Sequence, residues 1–160
     1  MLSFKPRPTV FWFLLLLTQK SLAADAIVQL DPLSFGEVIP KSGFCELDVA
    51  DGSISSPDNM CLGEAQLAHY RITADPNINI VVRLNMVDDV AQGLRFAPKA
   101  RLTNDVGGVT LAPIAGADAW MMTGTDGTID IFVGGTLTIS NSLNALQAYN
   151  LTYDLEFRRP

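Results

Sequence analysis

Catalytic groups and basic residues are scarce in this chain of 160 residues. It has one histidine, His69, and two cysteines, and it lacks nucleophile-elbow, phosphate-loop and zinc-binding motifs. All seventeen acidic residues but only eight of the eleven basic ones lie at or after Asp25, so this part carries a net charge of −9. Such an acidic body repels nucleic-acid phosphates and anionic membrane surfaces. We therefore expect no enzyme, no nucleic-acid binding, and no metal or cofactor site.

The N-terminal segment has the order of a secretory signal peptide. Lys5 and Arg7 precede an unbroken apolar run over residues 10–17, and small residues follow it. The run is shorter than the roughly 20 residues that span a bilayer, so a retained membrane anchor is the less favoured interpretation. We predict a signal peptide over residues 1–24, cleaved near its end, and one exported domain over residues 25–160.

The two cysteines, Cys45 and Cys61, both fall in the predicted exported part. An oxidising compartment favours the closing of an even pair. The loop spans 16 positions, and closing it is worth roughly 3 kcal/mol in the chain-entropy model. Two unpaired buried thiols are the alternative, and a metal site is disfavoured because no Cys-x-x-Cys spacing occurs. We predict a Cys45–Cys61 disulfide.

Apolar residues after the signal recur at every second position, which is typical of strands with one buried face. The alternation runs through residues 78–86, 128–140 and 149–157, and the same parity joins Cys45 to Leu47 and Val49. In residues 78–86 the apolar parity predicts a shared buried face for Ile78, Ile80, Val82, Leu84 and Met86.

Turn-forming dipeptides separate these runs. Asp51-Gly52 and Asp126-Gly127 are typical of hairpin turns, and Gly134-Gly135 predicts a bend or bulge within its strand. The pattern predicts an all-β fold: an antiparallel β-sandwich of seven to nine strands, with a small barrel as the alternative.

Two further side-chain groups invite a functional interpretation. Trp120 and Met122 share a parity in the most aromatic and sulfur-rich patch of the exported part, and we expect them to fill the core. His69 lies on the parity opposite Tyr70 and Ile72, which predicts an exposed strand residue and not a catalytic base.

The order of these strands resembles the bacterial domain-of-unknown-function family 4402 over about residues 27–157. The resemblance rests on Leu-Ser-Phe-Gly-Glu-Val-Ile-Pro at residues 33–40, on residues 79–84, and above all on Val-Gly-Gly-Thr-Leu-Thr-Ile at residues 133–139 followed by the closing tyrosine strand. The chain departs from the family pattern at Gln147-Ala148, where a glycine is usual, and in its two cysteines. The resemblance implies a secreted, immunoglobulin-like domain, similar in plan to fimbrial subunits and without catalytic residues.

Two functions follow as expectations. The first is a structural or adhesive fimbria-like subunit that joins copies of itself or other surface subunits by strand addition. Ala26, Val28 and Leu30 alternate just after the predicted cleavage site and form a candidate donor strand, or equally the first strand of the chain's own sheet. The alternative is a free-standing secreted or periplasmic ligand-binding module that uses loops such as residues 53–59 or 104–109. An open groove between edge strands favours the first function, and an N-terminal strand paired within its own chain favours the second.

Overall fold

The computed structural model describes residues 25–144 and 151–160, so the predicted signal peptide lies outside the part described. Within these ranges the chain forms only strands, turns and loops, and every strand pairing is antiparallel. The described part of the chain contains no helix that is long and apolar enough to cross a membrane. The strands are β1 (Ala26–Asp31), β2 (Glu37–Val38), β3 (Gly43–Leu47), β4 (Ile54–Ser55), β5 (Cys61–Leu62), β6 (Ala68–Thr73), β7 (Asn79–Leu84), β8 (Val87–Asp89), β9 (Leu94–Thr103), β10 (Val109–Ala112), β11 (Asp118–Met122), β12 (Thr128–Ile139) and β13 (Leu155–Arg158).

The large sheet has eight strands arranged around β12. On one side β12 pairs with β9 from Asp130 to Ile139. On the other side β6 pairs with the first half of β12, and β3 pairs with the second half. The edges are formed by β1 beyond β6, β4 beyond β3, and both β8 and β10 beyond β9. The first and second halves of β12 therefore have different neighbours.

Glycines lie where β12 changes its neighbour from β6 to β3. The pairing with β9 continues without a register shift through Gly134 and Gly135. A Cβ on Gly134 would approach the carbonyl oxygen of Leu47 to 2.5 Å, and one on Gly135 would approach the carbonyl oxygen of Ala97 to 2.3 Å. The glycine pair thus permits close backbone approach, and no bulge interrupts the ladder with β9.

The small sheet has the order β11-β7-β13 and packs on the first half of β12. Alternate residues of both sheets meet in one apolar cluster, the central core, as the period-two pattern predicts. The fully buried members include Ile72, Leu102, Ile129, Ile131 and Val133 from the large sheet, and Ile80 and Val82 from β7.

These features confirm the predicted fold class: the described chain is an all-β antiparallel sandwich. Nine strands have four or more residues, which agrees with the upper end of the predicted seven to nine, and β2, β4, β5 and β8 are shorter additional strands. The inward parity of Cys45, Leu47 and Val49 is also confirmed, because all three are buried.

The prediction that Trp120 and Met122 fill the core is wrong. Their side chains are 56% and 50% exposed, while Ala119 and Met121 point inward. The reason is the register of β11 on β7, which places Trp120 opposite Val81 on the outer face of the small sheet. Val81 is nevertheless only 1% exposed, so apolar residues occur on both faces of this sheet.

Two predicted strands are shorter than their alternation suggests. β7 ends at Leu84, and Met86 lies beyond it, 44% exposed. The run over residues 149–157 forms paired strand only from Leu155 onward. Residues 149 and 150 lie outside the described ranges, and residues 151–154 have the strand pattern without belonging to a strand.

Candidate functional site

An apolar groove of about 710 Å³ lies over the half of the large sheet that the small sheet leaves uncovered. Its floor is the inner face of β9 and β12, formed by Leu94, Phe96, Leu137 and Ile139. Residues from 32–40 form one wall, and residues from 143–144 and 151–153 form the other. The volume falls within the roughly 300–1,000 Å³ that is typical of ligand pockets.

None of the described lining residues carries a charge, although the chain from Asp25 onward has a net charge of −9. The floor and walls supply aromatic contacts, since the rings of Phe35 and Phe96 meet edge to face with centroids 5.8 Å apart. Phe96 also contacts Tyr153, with centroids 5.4 Å apart. The groove is therefore suited to an apolar side chain or segment and not to an ion.

One pair of hydroxyl groups provides polarity inside the groove. The hydroxyl groups of Tyr70 and Tyr153 form a hydrogen bond of 2.9 Å that joins β6 to the wall segment. Burial, with this hydrogen bond, raises the pKa of Tyr153 well above its ordinary value. The Tyr153 hydroxyl therefore stays neutral, and its hydrogen bond to Tyr70 positions the wall.

The predicted disulfide is present and supports the other wall. It links Cys45 in β3 to Cys61 in β5, with the two Cα atoms 6.1 Å apart. Val38 in β2 pairs with Cys61 and lines the groove. Both cysteines are buried with Met60, Leu94 and Ile139 in a second apolar cluster, the disulfide cluster. The crosslink thus holds β2 against the large sheet, and a disulfide is compatible with an oxidising extracellular environment.

The opposite wall is a strand-like segment that none of the described strands pairs. Leu151 packs against the disulfide cluster and Tyr153 against the central core, while Thr152 and Asp154 are exposed. The backbone carbonyl of Asp154 accepts a hydrogen bond from the amide of Asn85, and β13 begins at the next residue. Among the described residues, the side of β13 away from β7 has no paired strand.

The candidate donor residues Ala26, Val28 and Leu30 do not enter the groove. They lie in β1, which pairs with β6 of the same chain from Ala26–Thr73 to Asp31–His69. Val28 and Leu30 are 56% and 46% exposed. Only Gln29 of this strand lines the groove.

His69 lies on the predicted face but is less exposed than expected. Its side chain is 17% exposed because the ring stacks on Phe132, with centroids 4.6 Å apart, and Nε2 lies 2.8 Å from Oδ1 of Asp130. The loops at residues 53–59 and 104–109 contribute no residue to the groove.

Sequence reasoning missed the groove-lining residues Phe35, Phe96 and Leu137. The alternation in β9 and β12 places Phe96 and Leu137 on the inward face. It does not show that the small sheet covers only the other half of that face. Among the described residues, no group of three or more His, Cys, Asp or Glu side chains could hold a metal ion.

No protein-family model matches this chain, and no curated protein or solved structure does so either. The resemblance to the domain-of-unknown-function family 4402 therefore stays a prediction, and the groove itself must carry the functional argument.

Proposed function

We propose that this protein is a non-catalytic, exported bacterial surface protein: a structural or adhesive fimbria-like subunit whose groove receives an extended segment of another subunit. The observation that carries the proposal is the coincidence of an open groove, whose described lining residues are uncharged, with a strand-like wall segment, residues 151–153, that no described strand pairs. An extended segment laid beside that wall would bury alternate side chains in the groove, which is the usual form of strand addition.

The backbone of β13 also supports strand addition. Asp154 and Asn85 are opposite each other and hydrogen-bonded, so in this antiparallel pair Glu156 and Arg158 also direct their amides and carbonyls toward β7. The intervening residues, Leu155 and Phe157, direct theirs toward the open side. These donors and acceptors are the ones that an added strand would use.

The candidate donor in a second copy is β1, through Ala26, Val28 and Leu30. The exposed fractions of Val28 and Leu30 support this, because this face of β1 has no apolar cover from the described part of its own chain. Donation would require β1 to leave β6, after which this alternating face could fill the uncharged groove of a neighbour.

A free-standing secreted or periplasmic binding module is the second candidate. It is favoured by the pairing of β1 with β6 within one chain, because a domain that keeps its N-terminal strand has no strand to donate. In that case the groove would take an apolar ligand or peptide.

The deciding experiment is a gel of material sheared from the source cells, loaded without boiling and probed for this protein. The subunit function predicts a ladder of high-mass species that collapses to monomer on heating. Leu151→Glu would place a charge in the groove wall and should abolish the ladder. Leu111→Glu, at an exposed leucine of β10 outside the groove, is the matched control and should retain it.

A single band at monomer mass for the unaltered protein would refute the subunit function and favour the binding module. A ladder that Leu151→Glu leaves intact would mean that the subunits assemble through another surface.

A further inference from the structure

The strand β1 is attached to the sandwich with little apolar contact. Ile27 is its one residue packed against the central core, whereas Val28 and Leu30 project outward, 56% and 46% exposed. Besides the backbone ladder with β6, contacts at the two ends of the strand join it to the rest of the domain.

Both ends of β1 are held by contacts between charged or titratable groups. At the start, the carboxylate of Asp25 accepts two hydrogen bonds of 2.6 Å from Arg159, whose guanidinium also contacts Asp75 at 2.9 Å. At the end, the carboxylate of Asp31 lies 3.6 Å from Nδ1 of His69. The second contact is the one that involves a group able to change its charge near neutral pH.

His69 lies between two carboxylates, one for each ring nitrogen. Nε2 contacts Asp130 of β12 at 2.8 Å, and Nδ1 faces Asp31 of β1. The other charged groups near it are two guanidinium groups: Arg71 pairs with Asp130 at 2.9 Å, and Arg101 lies over the Phe132 ring on which His69 stacks. Of these charged groups, the Asp130 carboxylate hydrogen-bonds the imidazole and the Asp31 carboxylate lies 3.6 Å from it.

We infer that His69 is a pH-sensitive clasp that holds β1 on β6. A neutral imidazole carries no charge, whereas the imidazolium donates a hydrogen bond from Nε2 to Asp130 and attracts the carboxylate of Asp31, 3.6 Å from Nδ1, by charge. The added attraction exists while the ring is protonated and is lost as the pH rises through the histidine's titration. β1 is therefore held more tightly in mild acid than in mild alkali.

The β12 side of the clasp keeps its charge in mild acid. Burial alone would raise the pKa of Asp130, but hydrogen bonds from Arg71 and His69 lower it overall below its ordinary value. Asp130 is therefore still ionised in mild acid.

This inference goes beyond the proposed function, because it concerns how a single chain holds its own strand. It stands whether or not the protein polymerises. If β1 is a donor strand, its release becomes easier as the pH rises.

The test is amide hydrogen exchange of the purified protein, read by mass spectrometry at about pH 5.5 and about pH 8, on either side of the usual titration of histidine. Labelling times are scaled so that intrinsic exchange is equal at the two pH values. Because partly exposed ion pairs contribute little, we expect the peptide covering β1 to be about fivefold more protected at the lower pH. Peptides from the first half of β12 should change by less.

Asp31→Asn removes the carboxylate on the β1 side, and its side chain is 52% exposed, so the fold should tolerate the change. His69→Gln keeps a donor but cannot become charged. Both variants should give equal β1 protection at the two pH values, whereas Asp88→Asn on β8 should behave like the unaltered protein.

Equal protection of β1 at both pH values in the unaltered protein would overturn the clasp. An unchanged pH dependence in Asp31→Asn would overturn it as well, as would a change of the same size throughout β12. Because the readout is a single chain, none of these results depends on whether the protein assembles.

Discussion

Tyr70 and Tyr153 are 83 residues apart in the chain, yet their hydroxyl groups are joined by a 2.9 Å hydrogen bond. The bond ties β6 of the large sheet to the segment that precedes β13. Their rings also meet edge to face, with centroids 6.4 Å apart. This pair holds the unpaired wall of the groove at a defined position over the floor.

Removing one hydroxyl tests that role. Tyr153→Phe should lower the free energy of unfolding by about 1 kcal/mol, the net value of a typical intramolecular hydrogen bond. Urea unfolding followed by circular dichroism gives the value. The control is a double-mutant cycle with Tyr70→Phe. In the protein that already lacks one hydroxyl, the second substitution should lower the free energy of unfolding by clearly less than it does in the unaltered protein. Additive costs would mean that the hydroxyl pair is not a stabilising contact.

The disulfide should stabilise both the fold and the β2 wall. Replacing Cys45 and Cys61 together by alanine is expected to lower the free energy of unfolding by roughly 3 kcal/mol, because the unfolded chain regains the freedom of the closed loop. Urea unfolding with and without reductant measures this change. Reductant should destabilise the unaltered protein and leave the double variant unaffected. A response of the double variant would point to an effect unrelated to the crosslink.

Asp118 should make the stability depend on acid pH. Hydrogen bonds from Arg158 and then Arg83 hold its pKa below the ordinary value. Because the folded pKa is lower than the unfolded one, the carboxylate stabilises the fold above about pH 4, and this contribution is lost as the pH falls through the lowered pKa. A carboxyl titration by NMR should find Asp118 titrating below a model aspartate.

Asp118→Asn should correspondingly reduce the loss of stability between about pH 6 and about pH 3. Asp88→Asn on β8, outside this group of ion pairs, is the matched control and should leave the pH profile unchanged. Equal profiles for Asp118→Asn and the unaltered protein would contradict the assignment.

Gly134 should tolerate no side chain. An alanine Cβ would lie 2.5 Å from the carbonyl oxygen of Leu47 and 2.8 Å from a methyl carbon of Leu67, so the surroundings would have to shift. We expect Gly134→Ala to cost about 2 kcal/mol, as overpacking of a tight site does. Thermal or urea unfolding measures it. Thr138→Ala, on the outer face of the same strand, should cost under about 1 kcal/mol.

Much of the fold was readable from local patterns. The parity of Cys45, Leu47 and Val49, the long run that became β12, and the Asp-Gly turns all depend on nearest neighbours along the chain. These features do not require knowledge of which strand pairs with which. The groove could not be found in this way, because Leu94, Phe96, Leu137 and Ile139 have the same inward parity as residues that the small sheet covers.

The errors have the same origin. The aromatic and sulfur-rich pattern predicts that Trp120 and Met122 fill the core. Both parities of β11 are apolar, however, and only the register on β7 decides which one faces inward. The run over residues 149–157 has a strand pattern throughout, but β7 ends at Leu84 and pairs only β13. The parity of His69, opposite Tyr70 and Ile72, predicts exposure. It does not reveal the partial cover by Asp130, 61 residues away, and by Phe132.

The sequence by itself determined the strand-forming pattern, the turns and the cysteine pair, because each follows from backbone geometry or from the chemistry of a few neighbouring residues. Only the tertiary structure decided that the second sheet covers half of the first, that no described strand pairs residues 151–153, and that β1 pairs with β6. Those outcomes depend on long-range register and on which apolar face finds a covering layer. A period-two pattern assigns each side chain to a face, and packing between distant strands decides whether that face is closed.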